Sequence, residues 1–75
     1  MDRGLYTIKD ELSKWTEPIT FYNDEYALRA FMQYLHNDPM RETNNKDYSI
    51  WKIGKFDLET GTIELVKPEM LKRGL

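Results

Sequence analysis

One stretch of this chain constrains its fold more than any other. Tyr26, Ala27, Ala30, Phe31, Tyr34 and Leu35 recur at helical spacing, which gathers them into one apolar stripe. Asn23 stands just before them, where its side chain can accept a hydrogen bond from an unpaired first-turn N–H. Asp24 and Glu25 follow in the first turn, where the helix dipole favours negative charge. Asn37-Asp38-Pro39 closes the segment, because proline disfavours helical geometry in the residue before it. Leu28, Arg29, Met32 and Gln33 flank the stripe, and the Arg29 stem is expected to pack against the core with its charge paired. A helix of this kind is stable only against an apolar surface, which the rest of the chain has to supply.

That surface reads as β-sheet. Leu5-Tyr6-Thr7-Ile8 is a β-rich run after Gly4 and forms a first strand. Residues 10–17 lose the pattern and form a loop carrying Trp15, and Thr20-Phe21-Tyr22 is a short extended edge segment. Residues 40–47 are polar and read as a flexible surface loop. Tyr48 to Phe56 form a strand. Alternation puts Trp51 and Ile53 on the face under the helix and Tyr48 and Ile50 on the other, and a bulge at Gly54-Lys55 would return Phe56 to the face of Trp51. Leu58-Glu59-Thr60-Gly61 is a hairpin turn with glycine at the left-handed position. Thr62 to Val66 return as a strand with Ile63 and Leu65 facing the core, Pro68 stops it, and Met70 and Leu71 form a last turn. The expected fold class is α+β, a three-stranded antiparallel-rich sheet in the order strand, helix, strand, strand, with the helix on one face.

Length sets the scale. At 75 residues the chain makes one small domain, with an ordered core over about residues 4–67 and a C-terminal tail over 68–75. A core this small, beside an uncovered sheet face, suggests a homodimer or higher oligomer. The sequence has no cysteine, which excludes a disulfide framework and a thiolate metal site. It also has no apolar run long enough to span a membrane, and Met1-Asp2-Arg3-Gly4 has no apolar signal core, so a reducing cytoplasm is the expected setting. Net charge is −2, which argues against a simple DNA-coating protein but not against a one-sided basic face.

Catalytic chemistry is not evident. His36 is the sole histidine and suits a helix C-terminus, while Asp24 and Glu25 point about 100° apart on a helix and make a poor acid–base pair. The four glycines are isolated, so no phosphate loop exists, and Ser13 and Ser49 lie in no nucleophile motif. The expectation is a protein that is not an enzyme, with no metal and no cofactor. The aromatic and basic residues are more suggestive: stacking aromatics beside cations bind single-stranded nucleic acid. Arg41, Lys46, Lys52 and Lys55 would track phosphates and Trp15 would stack on a base, with Lys52 and Lys55 sharing a face only if the bulge exists.

Pro18-Ile19-Thr20-Phe21, Asn23-Asp24 with Ala27-Leu28-Arg29-Ala30-Phe31, Asn37-Asp38-Pro39, Asp47-Tyr48, Gly54-Lys55-Phe56-Asp57 and Thr60-Gly61 occur in that order. The ordered set resembles the small nonstructural proteins of gokushovirus-type microviruses, bacteriophages with single-stranded DNA genomes. Such proteins look like counterparts of the microvirus C protein. The resemblance implies a role late in infection, turning replication from duplex copies toward single strands for packaging. It implies contact with viral DNA, with the replication complex, or with both, in the host bacterial cytoplasm and outside the mature virion. The other reading is an adaptor that binds the replication initiator or procapsid without touching DNA. No catalytic residue is carried over, and the segment after Val66 follows no family pattern.

Overall fold

The computed structural model describes residues 2–74. Four antiparallel strands form one sheet in the order β2-β1-β3-β4: β1 is Asp2–Asp10, β2 Ile19–Phe21, β3 Tyr48–Asp57 and β4 Ile63–Arg73. Helix α1, Asp24–His36, lies across one face, and a short helix α2, Pro39–Thr43, leads through a 3-10 turn at Asn45–Asp47 into β3. The class is α+β, as expected, with four strands in place of three. The additional strand is the short edge segment before the helix, which pairs Phe21 with Gly4 and Ile19 with Tyr6.

Helix α1 forms where the apolar stripe predicts. The Asn23 side chain accepts from the Tyr26 N–H at 3.0 Å, and Ala27, Phe31 and Leu35 turn inward. They pack on Tyr6 and Ile50, with Ile8, Phe21, Tyr34, Tyr48 and Leu71 at the margin. Proline at position 39 ends one helix and begins another. Asp38 caps α2 by accepting from the Met40 N–H at 2.8 Å, and a proline in the first helical turn loses no bond. Residues 40–47, expected as an irregular loop, are therefore mostly helical turns.

Two strand expectations are corrected. Tyr48 and Ile50 face the helix, and Trp51 lies on the bare face, the reverse of the sequence reading. Alternation states which residues share a face but not which face is covered, and both faces of β3 are apolar. The Trp51 indole N–H also finds its acceptor on the bare side, Ser49 Oγ at 2.9 Å. The bulge exists one residue earlier than expected. Leu5 pairs with Gly54 and Tyr6 with Lys52, leaving Ile53 as the extra residue. Phe56 consequently returns to the parity of Trp51, and Lys52 and Lys55 share the helix side.

Ile63 and Leu65, expected in the core, lie on the face away from the helix and are exposed, because β4 is the outer strand. That strand does not stop at Pro68. It runs to Arg73, with register slips against β3 on both sides of the Trp51–Met70 and Lys52–Glu69 pairs. Pro68 falls within the longer slip, on an edge strand, where its missing N–H breaks no ladder bond. Residues 68–73 are therefore strand, not tail. The β3–β4 turn forms as expected: Asp57 Oδ1 accepts from the Glu59 and Thr60 N–H groups at 2.8 and 3.3 Å, and Gly61 takes φ +73°.

Candidate nucleic-acid interface

The expected phosphate-tracking residues fall into two groups on the helix side. At the N-terminus of α1, the buried Tyr6 hydroxyl donates to Asp24 Oδ1 at 2.5 Å, and Lys52 Nζ reaches the same oxygen at 3.3 Å. The Tyr6 hydrogen bond and the nearby Lys52 charge hold the Asp24 carboxyl below the usual range, against an opposing effect of burial. Burial, then the hydrogen bond and charge of Asp24, push the Tyr6 phenol well above its ordinary value. Lys52 and Lys55 line an open cleft of about 510 Å³ here with Tyr22 and Asn23. Carboxylates surround both lysines: Lys52 is paired with Asp24, and Lys55 also borders a hollow lined by Asp2, Asp57 and Glu64.

Arg41 and Lys46 lie in the α2 and 3-10 segment that follows the other end of α1. The Arg41 guanidinium sits over the Tyr34 ring, 4.0 Å from its centroid. Its Nε donates to the Tyr34 carbonyl at 2.7 Å, and Nη1 reaches Asp38 at 3.4 Å. Arg41 thus satisfies a last-turn carbonyl of α1, a capping contact. Lys46 is exposed, and its carbonyl accepts from Arg73 at 3.2 Å.

Trp15 lies on the opposite, bare face. The loop that carries it folds back along β1. The Thr16 N–H donates to the Ile8 carbonyl at 2.8 Å, Thr16 Oγ1 accepts from the Ile8 N–H at 2.9 Å, and Thr7 Oγ1 donates to the Thr16 carbonyl at 2.7 Å. Trp15 and Trp51 meet edge to face with ring centroids 5.7 Å apart, and Lys9 Nζ stands 5.5 Å from the Trp15 ring. Trp15 remains 44% exposed.

Charge is sorted between the two faces of the sheet. Residues directly opposite in antiparallel strands share a face, and alternate residues change face. The face away from the helix, bare in that no helix covers it, therefore carries Arg3, Leu5, Thr7 and Lys9 from β1, Ser49, Trp51 and Phe56 from β3, and Ile63, Leu65, Met70 and Arg73 from β4. The loop folds over part of it, and Leu5, Thr7 and Ser49 are buried. The strand carboxylates Asp2, Asp10, Asp57, Glu64 and Glu69 take positions on the helix side. Among the described residues, the register places no strand carboxylate on the bare face. From the loop, Glu11 reaches two of its cations, 3.7 Å from Lys9 and 3.4 Å from Arg73.

Sequence reasoning did not single out Lys9 or Arg3 and put Trp51 under the helix. The signal was in β1, where cations at 3 and 9 and acids at 2 and 10 alternate in step with the pleat.

The described residues form a small antiparallel sheet with a helix on one face and aromatic and cationic side chains on the other. The chain belongs to the Phage ORF5 protein family, whose model matches residues 3–75, and is thus a bacteriophage protein. No curated protein and no solved structure matches it. No described helix is long and apolar enough to cross a membrane.

Proposed function

We propose that this phage protein is non-enzymatic and associates with viral DNA, single strands favoured, beside the replication complex. In this reading it helps shift viral synthesis toward single-strand production and packaging, in the host bacterial cytoplasm and not as part of the mature virion. The resemblance to the nonstructural proteins of gokushovirus-type microviruses supplies the biological setting. The observation that carries DNA contact is the sorting of charge between the sheet faces. A net charge of −2 does not oppose it, because the strand carboxylates lie on the helix side. Phosphates need local cations, and bases need flat apolar rings.

The test is fluorescence anisotropy of labelled single-stranded and duplex oligonucleotides, at low and physiological salt. Binding is expected to prefer single strands and to weaken with salt. Charge reversal of Lys9 and Arg73 is expected to reduce affinity more than reversal of Lys52 and Lys55. No binding at low salt by folded protein would sink DNA contact.

A second reading, an adaptor for the replication initiator or procapsid, is favoured by the outer strand. On β4, Leu65 is 76% exposed and Ile63 56% exposed, and the unpaired edge of that strand suits strand addition by a partner. The same edge suits self-association into a homodimer or higher oligomer. Sedimentation velocity tests this, and a strictly monomeric species at high concentration would remove it.

A further inference from the structure

On the bare face, Thr7, Trp15, Thr16, Pro18, Ile53 and Pro68 enclose a shallow hollow of about 310 Å³. We propose that this hollow receives one unstacked base of a single DNA strand, with the indole of Trp15 as its stacking surface. The inference rests on the DNA-binding reading above and makes it specific to one place and one strand type.

The lining is the first argument. Indole, two pyrrolidine rings and the Ile53 side chain provide flat or apolar walls, which suit the faces of a base better than a sugar or phosphate. The bulge that makes Ile53 an extra residue and the slip that contains Pro68 lie side by side in the sheet, so the backbone irregularity of two strands coincides at the hollow. Bulges are often found where a strand re-aims a side chain at a site.

The polar groups are the second argument. The Thr7 hydroxyl is committed to the Thr16 carbonyl, and the Thr16 hydroxyl accepts from the Ile8 N–H. With both hydroxyls engaged inside the protein, the hollow offers stacking more than edge recognition, which predicts tolerance of base identity.

Charge is the third argument. Lys9 stands beside the Trp15 ring, and Arg73 is held near by the shared carboxylate of Glu11. Both ion pairs are partly exposed and single-contact, a class that contributes little. A phosphate flanking the bound base competes readily with Glu11 for these two cations. In a duplex each base is stacked and paired within the helix, so its face is unavailable to Trp15. The site therefore selects single strands.

The experiment titrates folded wild-type protein with three labelled probes: an oligo-dT of about 12 nucleotides, an abasic oligomer of the same length, and a duplex. Anisotropy gives affinity and tryptophan emission reports stacking. Oligo-dT is expected to quench emission and to bind about 5- to 150-fold more tightly than the abasic probe, the range for one stacked base. Trp15→Ala is expected to lose that advantage and Trp15→Phe to keep most of it. The abasic comparison uses wild-type protein, so it stands even if Trp15→Ala does not fold. Equal affinity for oligo-dT and the abasic probe, or for oligo-dT and the duplex, overturns the base site while leaving DNA association intact. Failure of all three probes to bind at low salt overturns the DNA-binding reading itself, and the hollow with it.

Discussion

Replacing Tyr6 with phenylalanine tests the linkage between sheet and helix at a single atom. The ring stays, so the core formed by Tyr6, Ala27, Phe31, Leu35 and Ile50 keeps its volume. The hydroxyl bond to Asp24 at 2.5 Å is lost. Hydrogen bonds to charged groups contribute about 1.5–3 kcal/mol. The Asp24 side chain is 49% exposed, so water replaces part of what is lost and the lower end applies, about 1.5 kcal/mol. For a domain of this size that lowers Tm by about 6–12 °C. The pH dependence is the sharper signature. The folded pKa of Asp24 is depressed, so its contribution is present above the unfolded value of about 4 and is lost as pH falls through the lower folded value. The folded pKa of Tyr6 is raised, so its contribution is present below about pH 10 and is lost as pH rises toward the folded value. Tyr6→Phe lacks the phenol and has lost the bond that depresses Asp24. The stability gap between wild type and variant should therefore be widest between about pH 5 and 9 and should close at both ends. Urea denaturation followed by circular dichroism measures it. A gap of the same size at pH 7 and at about pH 2.5 would refute the argument.

Three further substitutions examine other contacts. Phe31→Ala empties the centre of the helix–sheet interface and should cost about 3–5 kcal/mol, a large share of the stability of a chain this size, leaving a substantial unfolded fraction by circular dichroism. Asn23→Ala removes the cap on the Tyr26 N–H and should cost about 1 kcal/mol by urea midpoint. Gly61→Ala forces a side chain into φ +73° and should cost about 1–2 kcal/mol, while Gly61→Asn should recover part of that loss.

The helix was legible because its stripe, cap and stop signal all agree: Phe31 and Leu35 bury, Asn23 caps, and Pro39 ends it. The hairpin was legible for the same reason, with Asp57 and Gly61 at the positions the turn requires. Which face of β3 meets the helix was not, because that depends on the pairing of β3 with β1, about forty residues earlier. Pairing sets Ile8 opposite Ile50 and Asp10 opposite Tyr48, on the side of Tyr6, and no local pattern in β3 announces the choice. Pro68 misled for a related reason. Proline stops a central strand, but nothing near it in sequence says that β4 is an edge. Of the residues expected to contact DNA, Trp15 lies on the face now proposed for it. Arg41, Lys46, Lys52 and Lys55 lie elsewhere, since proximity in sequence does not reveal the sides of a sheet.

The sheet order has a consequence for how the chain acquires its shape during synthesis. β1 is a central strand, yet its main partner is β3, and until residues from 48 onward have been made it can pair only with the three residues of β2. Helix α1 is complete well before that and has only part of its platform to rest on. Non-local pairing of this kind is slow, because a long loop must close before the contacts repay it. The nascent protein therefore carries Tyr6 and Ile8 incompletely covered until β3 is made, and the inward face of α1 from the completion of that helix until the same point. The β3–β4 hairpin, formed late but locally, is the event that completes the structure.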